Sequence, residues 1–288
     1  MNTVSGTRLN TQLRTFLLLA GLTGLLVAIG GLLFKGPGLI LFAGIAIVMN
    51  FASYWWSDKM ALRMSGAQPL AEADDPRLYA IVRDLAQRAE LPMPRLYVIP
   101  QEQPNAFATG RNNQHAAIAV TAGLRRHMPE DQLTGVLAHE FAHIKNRDIL
   151  IQSIGAMIAG VISGIASWLQ FSFLFGGGDD NDSPLGFVGV IATMILAPLA
   201  ATLLQLAVSR QREYLADATG ARIMGRTEPL ANALETLARG TEVFPMKVNP
   251  AAEALFIVNP LHGAGMANLF ATHPPLEERI ARLRALTV

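Results

Sequence analysis

Of the 288 residues, 51% are hydrophobic and only 16% are charged, against about 25% charged in an average soluble domain. A net charge of +1, with no long basic run, argues against a nucleic-acid partner. The absence of cysteine excludes disulfides and cysteine-ligated metals, so any metal here must be held by His, Asp or Glu.

The apolar excess is concentrated in four tracts. Phe16 to Phe34 and Leu39 to Trp56 are each about one bilayer thickness as a helix, since a span needs roughly 20 residues. Only Lys35-Gly36-Pro37-Gly38 separates them, a turn too short for a domain. Trp55 and Trp56 stand at an end, where an interfacial aromatic belt belongs. The first tract is longer than the apolar core of a cleaved signal peptide, and a second follows at once. Residues 1–56 therefore read as a two-span membrane hairpin.

Residues 57–148 are polar and mixed. Pro76 to Glu90 carries Leu78, Ile81, Val82, Leu85 and Ala89 on one helical stripe, with Asp74 or Asp75 as its cap. Arg95 to Pro100 and His115 to Thr121 read as strands, and Asn105 to Gly110 as an extended edge segment between them. Pro129 opens a helix whose dipole is complemented by Glu130 and Asp131. After Asp148 come the third and fourth tracts, Ile149 to Phe175 and Leu185 to Val208, joined by the acidic loop Gly176 to Pro184. Residues 149–208 read as a second membrane hairpin. Residues 209–288 are polar again, mostly helical, and end in the amphipathic stretch Pro274 to Leu286.

Basic residues flank the inner ends of the tracts: Arg8 and Arg14, Lys59 and Arg63, Lys145 and Arg147, Arg210 and Arg212. The outer turns hold Lys35 alone in one and three aspartates in the other. The positive-inside rule then places both termini and both polar portions in the cytoplasm.

Residues 137–146 read LAHEFAHIKN. His139 and His143 are i and i+4 on a helix and share a face. Glu140 lies one step round. This is the pattern of a metal that acidifies water beside a glutamate that takes its proton. A catalytic zinc needs a third protein ligand. Glu213 in SRQREYLADATG supplies a carboxylate, and Asp217, four residues on, can hold the far nitrogen of a zinc histidine, His139 by preference. The first motif lies just before the third tract and the second just after the fourth. A hairpin crosses twice, so both motifs return to the same membrane face.

With NAFATGR, HEFAHIKNRD, SRQREYLAD and ATHPPLEERI occurring in that order, the chain resembles the HtpX family of integral-membrane zinc metalloproteases, relatives of the CAAX prenyl proteases. The resemblance implies a mainly α integral membrane protein, with four transmembrane helices and a cytoplasmic α+β zincin-like metalloprotease domain. One Zn2+ per chain would be held by His139, His143 and Glu213, with Glu140 as catalytic base. Asn105, Ala106, Phe107 and Ala108 match the edge segment by which related zinc proteases bind substrate. Asn105 has a second reading, as a structural turn residue. His273 either stabilises the oxyanion or caps the helix it precedes. Arg147 in KNRD departs from the family, where a small residue often stands, and lies outside the metal site.

The implied activity is that of a zinc endopeptidase in the cell inner membrane, acting on damaged or misassembled membrane proteins under stress. Its partners are polypeptide substrates and the bilayer. Two alternatives keep the same motifs: a CAAX-type prenyl-protein protease, whose relatives are longer, and a catalytically silent membrane scaffold, against which Glu140 speaks. A site-2-type intramembrane protease would need its histidines inside an apolar span, and HMPEDQLTG precedes them here.

Overall fold

The computed structural model of the chain describes residues 3–159, 209–244, 246, 252, 255–259 and 274–288. Helix α1 runs over Thr3–Met64. Asn50 Nδ2 donates to Thr23 Oγ1 at 2.8 Å across 27 residues, a separation of about 40 Å along a straight helix. The helical run must therefore fold back on itself. The midpoint of the two residues falls at Gly36-Pro37, inside the short turn read from the sequence. The second arm leaves large apolar side chains uncovered, among them Ile40, Leu41, Ile47, Val48 and Phe51. Among the described residues no helix is long and apolar enough to cross a membrane. Many side chains of α1 lie outside that description, as do residues 160–208 with the remainder of the third tract and the whole of the fourth.

The last turns of α1 enter the folded domain. Ala61 and Leu62 are buried there, and Asp58, also buried, takes Arg95 Nη2 at 3.0 Å. The chain then forms β1 (Gln68–Pro69), α2 (Pro76–Ala89), β2 (Arg95–Ile99), β3 (Ala106–Gly110) and β4 (Ala116–Thr121). Asp75 caps α2 by accepting the Leu78 N–H at 3.1 Å, with Pro76 at the first helical position, where its missing N–H costs nothing. The sheet order is β1-β2-β4-β3. Strands β2 and β4 are parallel, while β3 is antiparallel to β4 with Ala106 opposite Val120 and Ala108 opposite Ile118. Thus β3 is one edge and β1 the other.

Side-chain alternation gives the sheet two covered faces. Leu96, Ala106, Ala108, Ala116, Ile118 and Val120 join the main core. Phe107, Ala117, Ala119 and Ile99 face the other way, against Ala61 and Leu62 of α1 and Ala156. Ala156 belongs to α5, helical through residues 149–159.

The main face is covered by α4 (Glu130–Asn146), which follows the short α3 (Ala122–His127). Helices α2, α6 (Arg210–Met224) and α7 (Glu228–Val243) pack around α4. It is therefore buried nearly all round from Leu133 to Ile144. Each fully buried Leu, Ile or Phe of this layer contributes about 1.5–3 kcal/mol. Helix α8 (Leu276–Ala285) closes against α6 and α7. Arg212, read from sequence as a basic flank of the fourth tract, is buried instead, because α6 turns that face inward.

Two glycines allow the helices to approach closely. A Cβ on Gly135 would come within 2.7 Å of the Leu230 backbone on α7, and one on Gly220 within 3.0 Å of the Ala138–His139 backbone on α4. Gly220 follows Glu213 and Asp217 at helical spacing on one face of α6. The same close crossing therefore brings all three positions onto α4.

Candidate metal centre

His139, Glu140 and His143 lie in the buried middle of α4, and Glu213 and Asp217 lie on the facing side of α6. All five are at most 5% exposed. His139 Nε2 and His143 Nε2 are 3.1 Å apart. Glu213 sets one carboxylate oxygen 3.7 Å from His139 Nε2 and the other 3.6 Å from His143 Nε2. A tetrahedral zinc with bonds of about 2.0–2.2 Å holds its ligand atoms roughly 3.3–3.5 Å apart. The three donors therefore fit such an ion without a change of fold. Their donor set, two imidazoles and a carboxylate, is one that zinc accepts.

Hydrogen bonds behind the histidines fix their rings. His139 Nδ1 meets Asp217 Oδ1 at 2.9 Å, which leaves Nε2 as the lone-pair donor toward the centre. His143 Nδ1 lies 3.4 Å from Asp148 Oδ2. Asp148 reaches back because Arg147 takes a left-handed conformation, φ 63°, at the end of α4, and the Asp148 N–H then bonds the His143 carbonyl at 2.9 Å. Left-handed helix ends favour glycine or asparagine, a physical reason for a small residue at that position.

Behind Asp217 stands Arg279, fully buried on α8. Its Nε and Nη2 bind the two Asp217 oxygens at 2.9 and 2.7 Å. A relay thus runs from Arg279 through Asp217 to His139. Burial opposes ionisation of Asp217, but the Arg279 guanidinium outweighs it and holds the carboxyl below its ordinary range.

Burial lowers His139 from 6.5 to about 4, assisted by the charges of His143 and Arg279, and so favours a neutral ring. For His143 burial acts in the same direction, yet Glu213 and then Asp148 overcome it and raise the group to about 9. Without a metal, His143 joins Arg279, whose Nη1 lies 3.7 Å from Glu213 Oε2, as a positive partner of Glu213, and a cation at the three donors would take over the part of His143. Burial raises Glu140 from 4.5 to about 7.

Asn105, Ala106, Phe107 and Ala108 lie beside the centre but are not an open edge. They are at most 2% exposed, because residues 255–259 lie against them. Asn105 Nδ2 donates to the Val258 carbonyl at 2.8 Å, and the Ile257 N–H to the Ala106 carbonyl at 3.0 Å. The Ala108 N–H is held by Glu140. His273 lies outside the described residues. Sequence reasoning gave no role to Asp148 or Arg279. The signals available were the aspartate five residues past His143 and the arginine within the quoted ATHPPLEERI.

A model of peptidase family M48 matches residues 72–287. The chain is 54% identical over 282 residues to a "Protease HtpX homolog" of Syntrophobacter fumaroxidans, covering 96% of this chain and 100% of the relative. A second protein of that description, from Pelotomaculum thermopropionicum, is 51% identical over 279 residues, covering 96% and 99%. The crystal structure of S. mikatae Ste24p shares the fold at a TM-score of 0.51 and 21% identity, over 97% of this chain and 67% of that one.

Proposed function

Because this chain belongs to peptidase family M48 and is a metallopeptidase, we propose that it is a membrane-embedded zinc endopeptidase whose ion sits among His139, His143 and Glu213. The observation that carries the reading is the convergence of those three donors, at 3.1–3.7 Å, beside a buried glutamate. Zinc bound there supplies a Lewis acid that polarises a peptide carbonyl and acidifies water.

The chain's own residues do the rest. Asp217 and Asp148 hold the two imidazoles in the tautomer that presents Nε2. Glu140 takes the proton of the attacking water and returns it to the leaving amine. In the metal-free site burial raises its carboxyl to about 7, and a bound cation would draw it lower, toward the carboxylate that accepts the first proton. The outward backbone groups of β3, covered by residues 255–259 in this structure, would pair with an extended polypeptide once that segment is displaced, with Asn105 beside them. His273 is a further candidate for the oxyanion.

The proposed setting is the cell inner membrane, with four spans (two in 1–56, two in 149–208) and the halves 57–148 and 209–288 at the cytoplasmic face. The apolar tracts, the basic flanks and the uncovered face of α1 support it. Proposed substrates are damaged or misassembled membrane proteins met under stress, a reading that rests on similarity to the HtpX homologues. The test is casein cleavage by detergent-purified protein. Wild type should cleave, chelator should stop it, and Glu140→Gln should be about 10²–10⁴-fold slower. Cleavage by Glu140→Gln at the wild-type rate would exclude this proton path.

A further inference from the structure

In β3 the backbone groups alternate in direction. The Asn105 carbonyl accepts from Thr121 N–H at 2.9 Å, so Asn105, and by period two Phe107 and Thr109, turn toward β4. Ala106 and Ala108 turn their N–H and C=O groups outward. An incoming polypeptide adding a strand to this edge would pair with those groups.

The chain's own Ile257 already occupies one of them, the Ala106 carbonyl, while the Ala106 N–H donates to Asn105 Oδ1 at 3.1 Å. The Ile257 N–H donates to the Ala106 carbonyl at 3.0 Å. The Ile257 carbonyl accepts Arg279 Nη1 at 3.0 Å. The Val258 carbonyl accepts Asn105 Nδ2 at 2.8 Å, and the Val258 N–H approaches Asn105 Oδ1 at 3.5 Å. Four consecutive main-chain groups are thus held by an edge strand, an amide side chain and a guanidinium. None of these contacts reads the identity of the side chain. The pairing stops at Ala108, whose N–H belongs to Glu140. Arg279 Nη2 is 3.5 Å from His139 Nε2, so the bound backbone lies one side chain away from the metal donors. Ile257 and Val258 enter the main core, and Phe256 packs edge-on against Phe107 at 5.2 Å between ring centroids.

We propose that Phe256–Val258 is an internal pseudosubstrate seated on the β3 edge, and that the polypeptides this enzyme takes are extended segments with a branched aliphatic residue where Ile257 lies. The proposal rests on the peptidase reading above. In the resting state the Ala106 carbonyl and the Asn105 amide are spoken for, and a substrate must displace the segment to reach them. A permanent core strand would make the same contacts but would not give way.

The test uses the full-length, zinc-loaded Glu140→Gln protein in detergent with a 15N-labelled peptide of the sequence of residues 253–260. Calorimetry reads binding, and amide hydrogen exchange reads residues 255–259. The expected result is binding, with faster exchange at 255–259. Phe256→Ser, which loosens the segment's hold, should bind the peptide about tenfold more tightly, because the binding-competent fraction rises. Binding with unchanged or increased protection of 255–259 overturns the proposal, and so does an absence of binding. If Phe256→Ser fails to fold, the exchange result on the parent protein decides. Wild-type casein cleavage is measured alongside. Cleavage with unchanged protection removes the pseudosubstrate and leaves the peptidase. Displacement without cleavage does the reverse.

Discussion

The second arm of α1 and the interior between α4, α6 and α8 both invert the usual partition of residues, in opposite directions. The first leaves Ile40, Ile47, Val48 and Phe51 more than half exposed. The second buries His139, Glu140, His143, Glu213, Asp217 and Arg279. A large uncovered apolar face implies something apolar outside the chain. Buried charge persists only where charges pair or hold a metal. The contrast marks the two places where the proposed function has the chain depend on something outside it: lipid on one side and an ion on the other.

The largest expected effect comes from breaking the buried pair. Arg279→Met leaves Asp217 as an uncompensated buried charge, and such losses cost about 3–5 kcal/mol. Thermal unfolding of the metal-free protein should show that loss, with part of it recovered in the double variant Arg279→Met, Asp217→Asn. A change within about 0.5 kcal/mol, as at a surface site, would mean that Arg279 is not needed to neutralise the cluster.

Next comes the pH dependence of Glu140 in the metal-free protein. Its folded pKa of about 7 lies above the ordinary 4.5, so the neutral acid is the form that folding favours. That contribution is complete below about pH 4.5 and is lost as pH rises through about 7. Glu140→Gln keeps a neutral side chain. It should match wild type near pH 4 and exceed it near pH 8 by on the order of 3 kcal/mol. An equal difference at both pH values would show that the carboxyl is not held neutral by burial.

The smallest effect belongs to α1. Ile47→Cys at this exposed site should change stability in detergent by under about 0.5 kcal/mol. The chain has no other cysteine, so labelling is specific. In sealed vesicles the Ile47→Cys thiol should resist a water-soluble maleimide, while cysteines placed at Asp180 and Glu242 should label from opposite sides. Free labelling at position 47 would place that face in water.

The parts of the site visible in sequence are those fixed by spacing within one helix: His139 and His143 on α4, Glu213 and Asp217 on α6. Their meeting was expected from the proposed return of a hairpin to the same face, and α6 packs against α4 in the structure. The stripe of α2 and strands β2 and β4 were legible for the same reason, a regular period. Asp148 escaped because its approach to His143 depends on the left-handed turn at Arg147, which periodicity does not encode. Arg279 sits beside Glu277 and Glu278 in a stretch read as amphipathic, a pattern that assigns no arginine an inward place, and the packing of α8 against α6 and α7 buries it. Strand β1 has two residues and α3 has six, too few to show a period. The 255–259 segment has no helical or strand repeat, so its place on β3 is a purely tertiary result.

The most direct test of the metal centre is zinc content per chain in purified wild type, Glu140→Gln and Glu213→Ala, with thermal unfolding as the folding control. The arrangement of His139, His143 and Glu213 predicts about one zinc in the first two and its loss from folded Glu213→Ala. A full complement of zinc in Glu213→Ala would contradict the account, because the third ligand would then lie elsewhere.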